Sequence, residues 1–426
     1  MLGCTQYEDH EYDIPAGEQV GSVALEIDAD GTPVILADVQ MFYATRESLE
    51  TWESPIQVSD IQSIAYSRDT GVWRKYGFRN LQYGFSGKSM LLRDDRGGVR
   101  PFIANRGRQS LYGRGAGGWT AQSSGLIDPP GWEVGFVPDN LGNPLLILVG
   151  QDWLNLTYGY NSSRISVARR DGSGFALDSS EGFQPAAFAA VGDDAFLVGS
   201  WQRQNPDFSQ PNPFPVKLAW YSWDARVHDP KPRLKTRPMD GYFLPRIAKV
   251  GSEYRLYAFT GIDSLQVFAI RGGDLVLLES RAMPVMGDAR NFWNGFSLII
   301  DSAGCFHGVG SIMPDWNDST GPKPPYPSGI PMLYASTCKE GRTIFTWPDP
   351  KPGAQMERSL SSLRLDRQGR PVAALLFKEI PKNVGDPAKQ WKEDQKAQPT
   401  WLYFGTLADK GWEWEPVAHF EGTGGT

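Results

Sequence analysis

The stretch from Ser361 to Phe377, SSLRLDRQGRPVAALLF, contains the unit that decides the fold. A short apolar strand runs into the turn Asp366-Arg-Gln-Gly369, and a second apolar strand follows Pro371. Aspartate at the first position of such a turn hydrogen-bonds its own backbone, and glycine supplies the left-handed residue that the hairpin requires. The stretch therefore predicts two antiparallel β-strands joined by a tight turn.

The same unit recurs along the chain, and it continues with a third strand, a glycine-containing turn and a fourth strand. In the first unit we place the third strand at Met41–Thr45 and the start of the fourth at Trp52. Further D-x-x-G turns begin at Asp28, Asp94, Asp139 and Asp301, with degenerate copies at Val191–Asp193 and Val250–Ser252. First strands are expected near Ser22, Lys88, Val134, Ala186, Arg246, Phe296 and Ser361.

Seven such units predict an all-β chain that forms a seven-bladed β-propeller of four-stranded blades. A small sheet cannot bury both faces alone, so the sheets must pack against neighbours in a ring. A β-sandwich gives no reason for the repeat, and a β-helix would use a much shorter period. We assign residues 22–426 to this single domain and residues 1–21 to an N-terminal tether.

Composition excludes several classes of function. The chain has 426 residues and a formal net charge of −7, so it lacks the basic field that nucleic acid or an anionic membrane surface attracts. No apolar run approaches the roughly 18 residues of a spanning helix. We expect no nucleic-acid partner, and a membrane link only through an N-terminal lipid.

The three cysteines indicate a compartment. Leu2-Gly3-Cys4 resembles the end of a bacterial lipobox, which makes Cys4 a candidate for lipidation; a chance cysteine in a flexible terminus is the alternative. Cys305 and Cys338 fall at the facing ends of two antiparallel strands, within reach of a disulfide, although two free thiols are also compatible with the sequence. Lipidation and a disulfide would place the protein in a bacterial cell envelope, as a periplasmic, outer-membrane or surface lipoprotein.

Long insertions fall in the second-to-third-strand loops and in the crossovers between units, which should emerge on one face, here called the long-loop face. They include residues 59–86 and 378–400. Aromatic side chains there can stack on sugars or anchor a protein partner, or can pack the loops onto the ring. The candidates for ligand binding are Trp153, Trp293, Trp316 and Trp391.

Motifs for zinc hydrolysis, serine-triad chemistry and nucleotide binding are absent, and we predict neither a cofactor nor a metal site. What remains is arginine and carboxylate chemistry where the first strands begin. Convergent guanidinium groups would bind a carboxylate, and paired carboxyls could cleave a glycoside; alternatively these charges neutralise one another. The residues concerned are Arg246, Arg290 and Arg358, with Asp240, Asp288 and Glu357 nearby.

Two strings carry a family resemblance. Thr45–Trp52, TRESLETW, resembles the Asp-box pattern S/T-x-D-x-G-x-T-W, with Glu47 and Leu49 in place of the aspartate and glycine. We place it in the turn between a third and a fourth strand, where that family carries the motif. Ser67–Trp73, SRDTGVW, is a shorter echo that we place in a crossover loop. The chain thus resembles the sialidase-like (Asp-box/BNR) β-propeller superfamily, and the resemblance implies glycan chemistry and an arginine triad.

The leading hypothesis is an exported, lipid-anchored propeller that binds a glycan or a protein partner on its long-loop face. A sialidase-like glycoside hydrolase with its active site at the channel mouth is the first alternative, so whether the chain is an enzyme stays open. A structural subunit of a cell-envelope assembly is the second.

Overall fold

The residues that the computed structural model describes form 28 β-strands and include no helix. The prediction of an all-β chain is confirmed. None of the described segments forms a helix that could cross a membrane. The described residues are 14–44, 57–78, 89–93, 97–105, 108–115, 118–123, 133–138, 144–151, 163–168, 174–179, 183–191, 194–201, 217–224, 233–236, 242–260, 264–271, 274–282, 297–311, 332–338, 342–345, 348, 350–354, 356–380 and 396–422.

The strands form seven four-stranded sheets, numbered here in chain order. Those of the first four sheets are β1 (Ile14–Ile27), β2 (Pro33–Ala44), β3 (Gln57–Asp69), β4 (Val72–Phe78); β5 (Met90–Arg93), β6 (Val99–Asn105), β7 (Arg108–Gly115), β8 (Gly118–Ser123); β9 (Glu133–Pro138), β10 (Pro144–Gln151), β11 (Ser163–Ala168), β12 (Gly174–Ser179); β13 (Phe183–Val191), β14 (Asp194–Trp201), β15 (Lys217–Asp224) and β16 (Arg233–Thr236). Those of the last three are β17 (Tyr242–Val250), β18 (Glu253–Thr260), β19 (Ser264–Arg271), β20 (Asp274–Ala282); β21 (Ser297–Ile300), β22 (Phe306–Ser311), β23 (Met332–Ser336), β24 (Arg342–Phe345); β25 (Met356–Leu365), β26 (Pro371–Glu379), β27 (Thr400–Ala408) and β28 (Gly411–Phe420).

Within each sheet the strands follow one another in chain order, and each pair is antiparallel. The seventh sheet shows how the sequence of each strand matches its burial. β26 is buried from Pro371 to Phe377, as a continuous apolar run predicts for a strand covered on both faces. The outer strand β28 is exposed or partly exposed from Gly411 to His419. The apolar runs thus become the inner strands, and the mixed runs become the outer ones.

Most neighbouring sheets meet through their first strands. β1 contacts β5, β9 contacts β13, β13 contacts β17, β17 contacts β21, and β21 contacts β25. β25 in turn contacts β1, so the last sheet packs against the first. One apolar cluster spans that junction and includes Leu25 and Ile35 of the first sheet with Val372 and Phe404 of the seventh. This burial ties the two ends of the chain together.

A polar contact supports the same junction. Trp73 Nε1 on β4 donates to the carboxylate of Glu415 on β28, at 3.1 Å. Arg68 on β3 lies 2.9 Å from the second oxygen of Glu415. The outer hairpin of the first sheet is therefore fixed to the outer strand of the last.

The first sheet corrects the strand prediction for its unit. Met41–Ala44 is the end of β2, because β1 and β2 pair without a turn as far as Ile14 and Ala44. The third and fourth strands are β3 and β4, which occupy much of the predicted insertion 59–86. Their two-residue turn, Thr70-Gly71, has φ angles of +50° and +85°, as a tight hairpin requires.

Because the third and fourth strands of the first sheet are not where the sequence predicts them, both Asp-box-like strings have other places in the fold than predicted. Thr45–Trp52 lies between β2 and β3, not between a third and a fourth strand, and its residues fall outside the described ranges. Ser67–Trp73, expected in a crossover loop, spans the β3–β4 turn instead. The shorter string therefore has the position that the resemblance requires, and the longer one does not.

The N-terminal boundary is corrected as well. Residues 14–21, assigned above to the tether, belong to β1 and pair with β2. The backbone N–H of Glu18 also donates to the carbonyl of Glu421, at 3.2 Å. Polar composition suggested a tether, but these residues are held by the antiparallel ladder. Cys4 and the rest of residues 1–13 lie outside the described residues.

Candidate functional site

Three charged side chains from three neighbouring first strands meet beside the D-x-x-G turns. Glu26 of β1 binds Arg364 of β25, with 2.5 Å between Oε1 and Nε. Its other oxygen, Oε2, lies 3.3 Å from Nε of Arg93 on β5. One carboxylate of the first sheet therefore joins guanidinium groups from the second and seventh sheets.

Main-chain carbonyls fix both guanidinium groups further. Arg93 Nη2 donates to the carbonyl of Ile27 at 2.6 Å, and Arg364 Nη1 donates to the carbonyl of Leu363 at 2.8 Å. Within the described ranges, Arg93 Nη1 and Arg364 Nη2 have no hydrogen-bond partner. These two nitrogens, called here the outer Nη groups, thus remain as N–H donors for an anion.

Arg246, the one member of this group that the sequence predicts as a site residue, belongs to the fifth sheet. Arg246 is partly buried on β17, and burial is the main reason why its pKa lies below the usual value for arginine. The positive charge of Arg364 lowers this pKa further. We call Glu26, Arg93, Arg246 and Arg364 the first-strand arginine cluster.

A β-bulge places Arg246. The register of β17 against β18 shifts between Phe243 and Arg246, and Arg246 is the first paired residue after the shift. Similar shifts interrupt β1, β13 and β25. Bulges redirect side chains and increase strand twist, and this one determines where the guanidinium group of Arg246 leaves the strand.

The predicted residues of β25 lie towards its other end. Arg358 pairs with Phe377 and Glu357 with Lys378, where β26 ends. Arg364 pairs with Val372, where β26 begins. Six residues of strand separate Arg358 from Arg364, or about 20 Å. The structure therefore brings Arg246 together with Arg364, a residue that the sequence analysis did not single out.

Other predicted site residues fall outside the described residues, and their role stays a prediction. They are Asp240, Asp288, Arg290, Trp153, Trp293, Trp316 and Trp391.

The three unpredicted members of the cluster share a sequence signal. Glu26 and Arg364 each lie two residues before the aspartate of a D-x-x-G turn, and Arg93 lies one residue before Asp94. The last residues of consecutive first strands come close together when these strands are neighbours. Aligning the units on their turns would have found this cluster.

A second polar group lies beside the disulfide between Cys305 and Cys338, the pair proposed from the sequence, whose Cα atoms are 5.5 Å apart. His307 is buried, with Nδ1 2.8 Å from the hydroxyl of Tyr334 and Nε2 3.1 Å from Oδ2 of Asp301. Burial would raise the pKa of Asp301, but hydrogen bonds from His307 and from the N–H of Cys305 outweigh it and leave that pKa below its usual value.

Tyr334, His307 and Asp301 have the hydrogen-bond pattern of a catalytic relay, but a substrate has no access to the inner end of this group. Tyr334, at its inner end, is only 4% exposed, so a substrate cannot reach the hydroxyl. The role of this group is to fix the turn that begins at Asp301 and the adjacent disulfide. Among the described residues, no three His, Cys, Asp or Glu side chains are placed to hold a metal ion.

No protein-family model and no curated protein matches this sequence. Solved structures with some likeness include an α-L-arabinofuranosidase, CtGH43, from Clostridium thermocellum, at 13% identity over 61% of this chain and 93% of that chain, with a TM-score of 0.31. AofleA from Arthrobotrys oligospora aligns at 9% identity over 96% of this chain and 88% of that chain (TM-score 0.37).

A mutant of the Aleuria aurantia lectin AAL, in complex with Fucα1-6GlcNAc, aligns at 11% identity over 94% of this chain and 96% of that chain, with a TM-score of 0.36. Likenesses of this size are too distant to assign a ligand or an activity to the chain. The function has to be argued from the residues themselves.

Proposed function

We propose that this chain is a closed seven-bladed β-propeller that binds an acidic glycan, with the carboxylate of the sugar held by the first-strand arginine cluster. The observation that carries the proposal is the joining of Arg93 and Arg364, from different sheets, by Glu26. Seven four-stranded sheets whose first strands follow one another, with the last beside the first, support the ring. In such a ring the first strands line the axis, and the cluster lies there.

The charge balance of the cluster favours an anion. Two guanidinium groups share one carboxylate, and Arg246 adds a third positive charge near Arg364. Arginine binds carboxylates through paired, charge-assisted hydrogen bonds, which are stronger than neutral ones. The Asp-box-like string Ser67–Trp73 in the β3–β4 turn supports an acidic sugar as the carboxylate-bearing ligand, through the sialidase-like resemblance.

The test compares two sugars that differ only at carbon 6. Titration calorimetry should detect binding of glucuronate and no comparable binding of glucose. Arg364→Ala should weaken glucuronate binding about tenfold or more, the usual effect of losing a charged hydrogen bond. Arg281→Ala, which removes an exposed arginine of β20, is the matched control and should bind as the wild type does. Equal affinities for glucose and glucuronate, or an unaffected Arg364→Ala variant, would refute the proposal.

A sialidase-like hydrolase is the second candidate, favoured by the same string and the same arginines. Most glycoside hydrolases use two carboxyl groups about 5 to 10 Å apart at the sugar, and sialidases replace one of them with a tyrosine nucleophile. Glu26 is engaged by two arginines and is not free for either carboxyl role. Turnover of a fluorogenic α-sialoside that is lost in Arg246→Ala would establish this activity. Binding without turnover would leave the lectin-like function.

Export and lipid anchoring belong to the proposal too. The disulfide between Cys305 and Cys338 supports an oxidising compartment, and Cys4 supports lipid attachment in a cell envelope. Incorporation of labelled palmitate that is lost in Cys4→Ala would establish the anchor. A protein partner on the long-loop face, or a permanent place in an envelope assembly, would instead appear as a stable complex in detergent extracts.

A further inference from the structure

Glu26 binds guanidinium groups of the first-strand arginine cluster in the way that the carboxylate of a ligand would bind them. Its two oxygens contact the Nε atoms of Arg364 and Arg93, so that each oxygen serves a different guanidinium group. The Glu26 side chain is only 13% exposed, against 33% for Arg364 and 51% for Arg93. The protein's own carboxylate thus occupies the inner side of the cluster, and a ligand must bind on the outer side.

We propose that Glu26 is an internal competitor that limits the affinity of the first-strand arginine cluster for anions. This inference rests on the proposed function, because it concerns the same site. With Glu26 ionised, the three arginines and one glutamate carry two net positive charges. Without it they would carry three, and the Nε donors of both arginines would also be open to a ligand. Glu26 therefore selects ligands that bind through the outer Nη groups.

Glu26 could instead serve only to hold the arginines in place. The carbonyl contacts argue against that role. Arg93 Nη2 is fixed by the carbonyl of Ile27 and Arg364 Nη1 by that of Leu363, and neither contact involves the Glu26 side chain. Glutamine at position 26 would keep the size of the side chain and one acceptor oxygen. The main effect of Glu26→Gln is therefore the loss of a negative charge next to the ligand.

Glu253 offers a matched control. Like Glu26, it is engaged by two arginines, Arg255 at 3.2 Å and Arg271 at 2.7 Å. Glu253 begins β18 in the fifth sheet, whereas Glu26 lies on a first strand. Glu253→Gln changes the net charge of the protein by the same amount as Glu26→Gln, and it leaves the first-strand arginine cluster untouched.

The experiment measures glucuronate affinity by calorimetry for the wild type, Glu26→Gln and Glu253→Gln. We expect Glu26→Gln to bind roughly tenfold more tightly, the effect of removing one nearby like charge, and this gain to shrink as salt is added. Glu253→Gln should match the wild type. Glu26→Asp, which keeps the charge, should stay near wild-type affinity and serves as a second variant if Glu26→Gln folds poorly.

The outcomes separate this inference from the proposed function. Weaker binding by Glu26→Gln would make Glu26 a positioning residue and overturn the inference, and equal gains in both glutamine variants would trace the effect to overall charge. Unchanged affinity in Glu26→Gln would overturn it as well, while Arg364→Ala still tests the site. Absence of glucuronate binding in the wild type and in Glu26→Gln would refute both proposals together.

Discussion

The turns Asp301–Cys305 and Asp366–Arg370 share one backbone geometry and differ in what their aspartates hold. In each turn the aspartate N–H donates to the carbonyl of the fifth residue, at 3.0 and 2.9 Å. In each, the N–H of the fourth residue, Gly304 or Gly369, donates back to the aspartate carbonyl, at 3.0 Å. Both glycines have positive φ angles, +86° and +73°. The D-x-x-G pattern thus determines the path of the chain.

The carboxylates then diverge. In both turns Oδ1 accepts the N–H groups of the third and fifth residues. Oδ2 of Asp301 contacts the buried His307, whereas Oδ2 of Asp366 contacts the guanidinium group of Arg370, whose side chain is 52% exposed. The same turn is therefore part of a buried network in one sheet and carries an exposed ion pair in another. The side chains that follow the turn decide which.

Removing the disulfide should have the largest effect, because the Asp301 turn has a covalent link and the Asp366 turn has none. Cys305 and Cys338 are 33 residues apart, and the loop that they close corresponds to about 3–4 kcal/mol of stability in the chain-entropy treatment. We expect Cys305→Ser with Cys338→Ser to lower the free energy of unfolding by about that amount, measured by urea denaturation.

Cys4→Ser is the control for that measurement. The chain has three cysteines and two are paired, so this substitution removes a cysteine without removing a disulfide within the chain. Its stability should equal that of the wild type. If the double variant were equally stable as well, the backbone hydrogen bond from Thr337 to Phe306 (3.0 Å) would suffice to hold the strands.

Substituting each aspartate by alanine tests the comparison directly. Asp301→Ala leaves the part-buried N–H of Cys305 and the buried ring of His307 without their acceptor, so we expect a loss of about 3 kcal/mol. Asp366→Ala leaves its N–H groups exposed to water, and we expect about 1 kcal/mol. Urea denaturation of the two variants measures both losses. Equal losses would show that the aspartates act only through the turn backbone.

The same distinction explains which parts of the fold were predictable. In the fifth and seventh units the D-x-x-G turn or its degenerate copy, followed by an apolar run, located the strands, and the structure has β18 and β26 where those runs lie. In the first unit the turn at Asp28 also joins the two predicted strands, but the third strand was misplaced, because β1 and β2 continue to pair well beyond the usual strand length. The real hairpin signal was Thr70-Gly71, which supplies two consecutive positive φ angles.

Prediction of the site was limited for a different reason. Arg246 begins a predicted first strand, at the end that is expected on the long-loop face, whereas Arg364 lies near the opposite end of its first strand. Charged residues just before a turn look like ordinary surface residues in a single unit. Only the contact between first strands of neighbouring sheets makes them a cluster, and that contact is a property of the whole chain.

The smallest expected effect is the pH dependence of the Asp301 turn. Because hydrogen bonds hold the pKa of Asp301 below its usual value, the folded protein binds this proton less tightly than the unfolded chain does. The stability that the carboxylate contributes is complete above the unfolded pKa of about 4 and disappears as the pH falls through the lower folded value. The difference in unfolding free energy between wild type and Asp301→Ala should therefore narrow below about pH 5. The loss of unfolding free energy in the variant with Cys305→Ser and Cys338→Ser should stay constant over the same pH range, because the chain-entropy effect of a disulfide does not depend on pH. If the loss of unfolding free energy in Asp301→Ala were equally independent of pH, Asp301 would act through its size and hydrogen bonds, and its charge would contribute nothing to the turn.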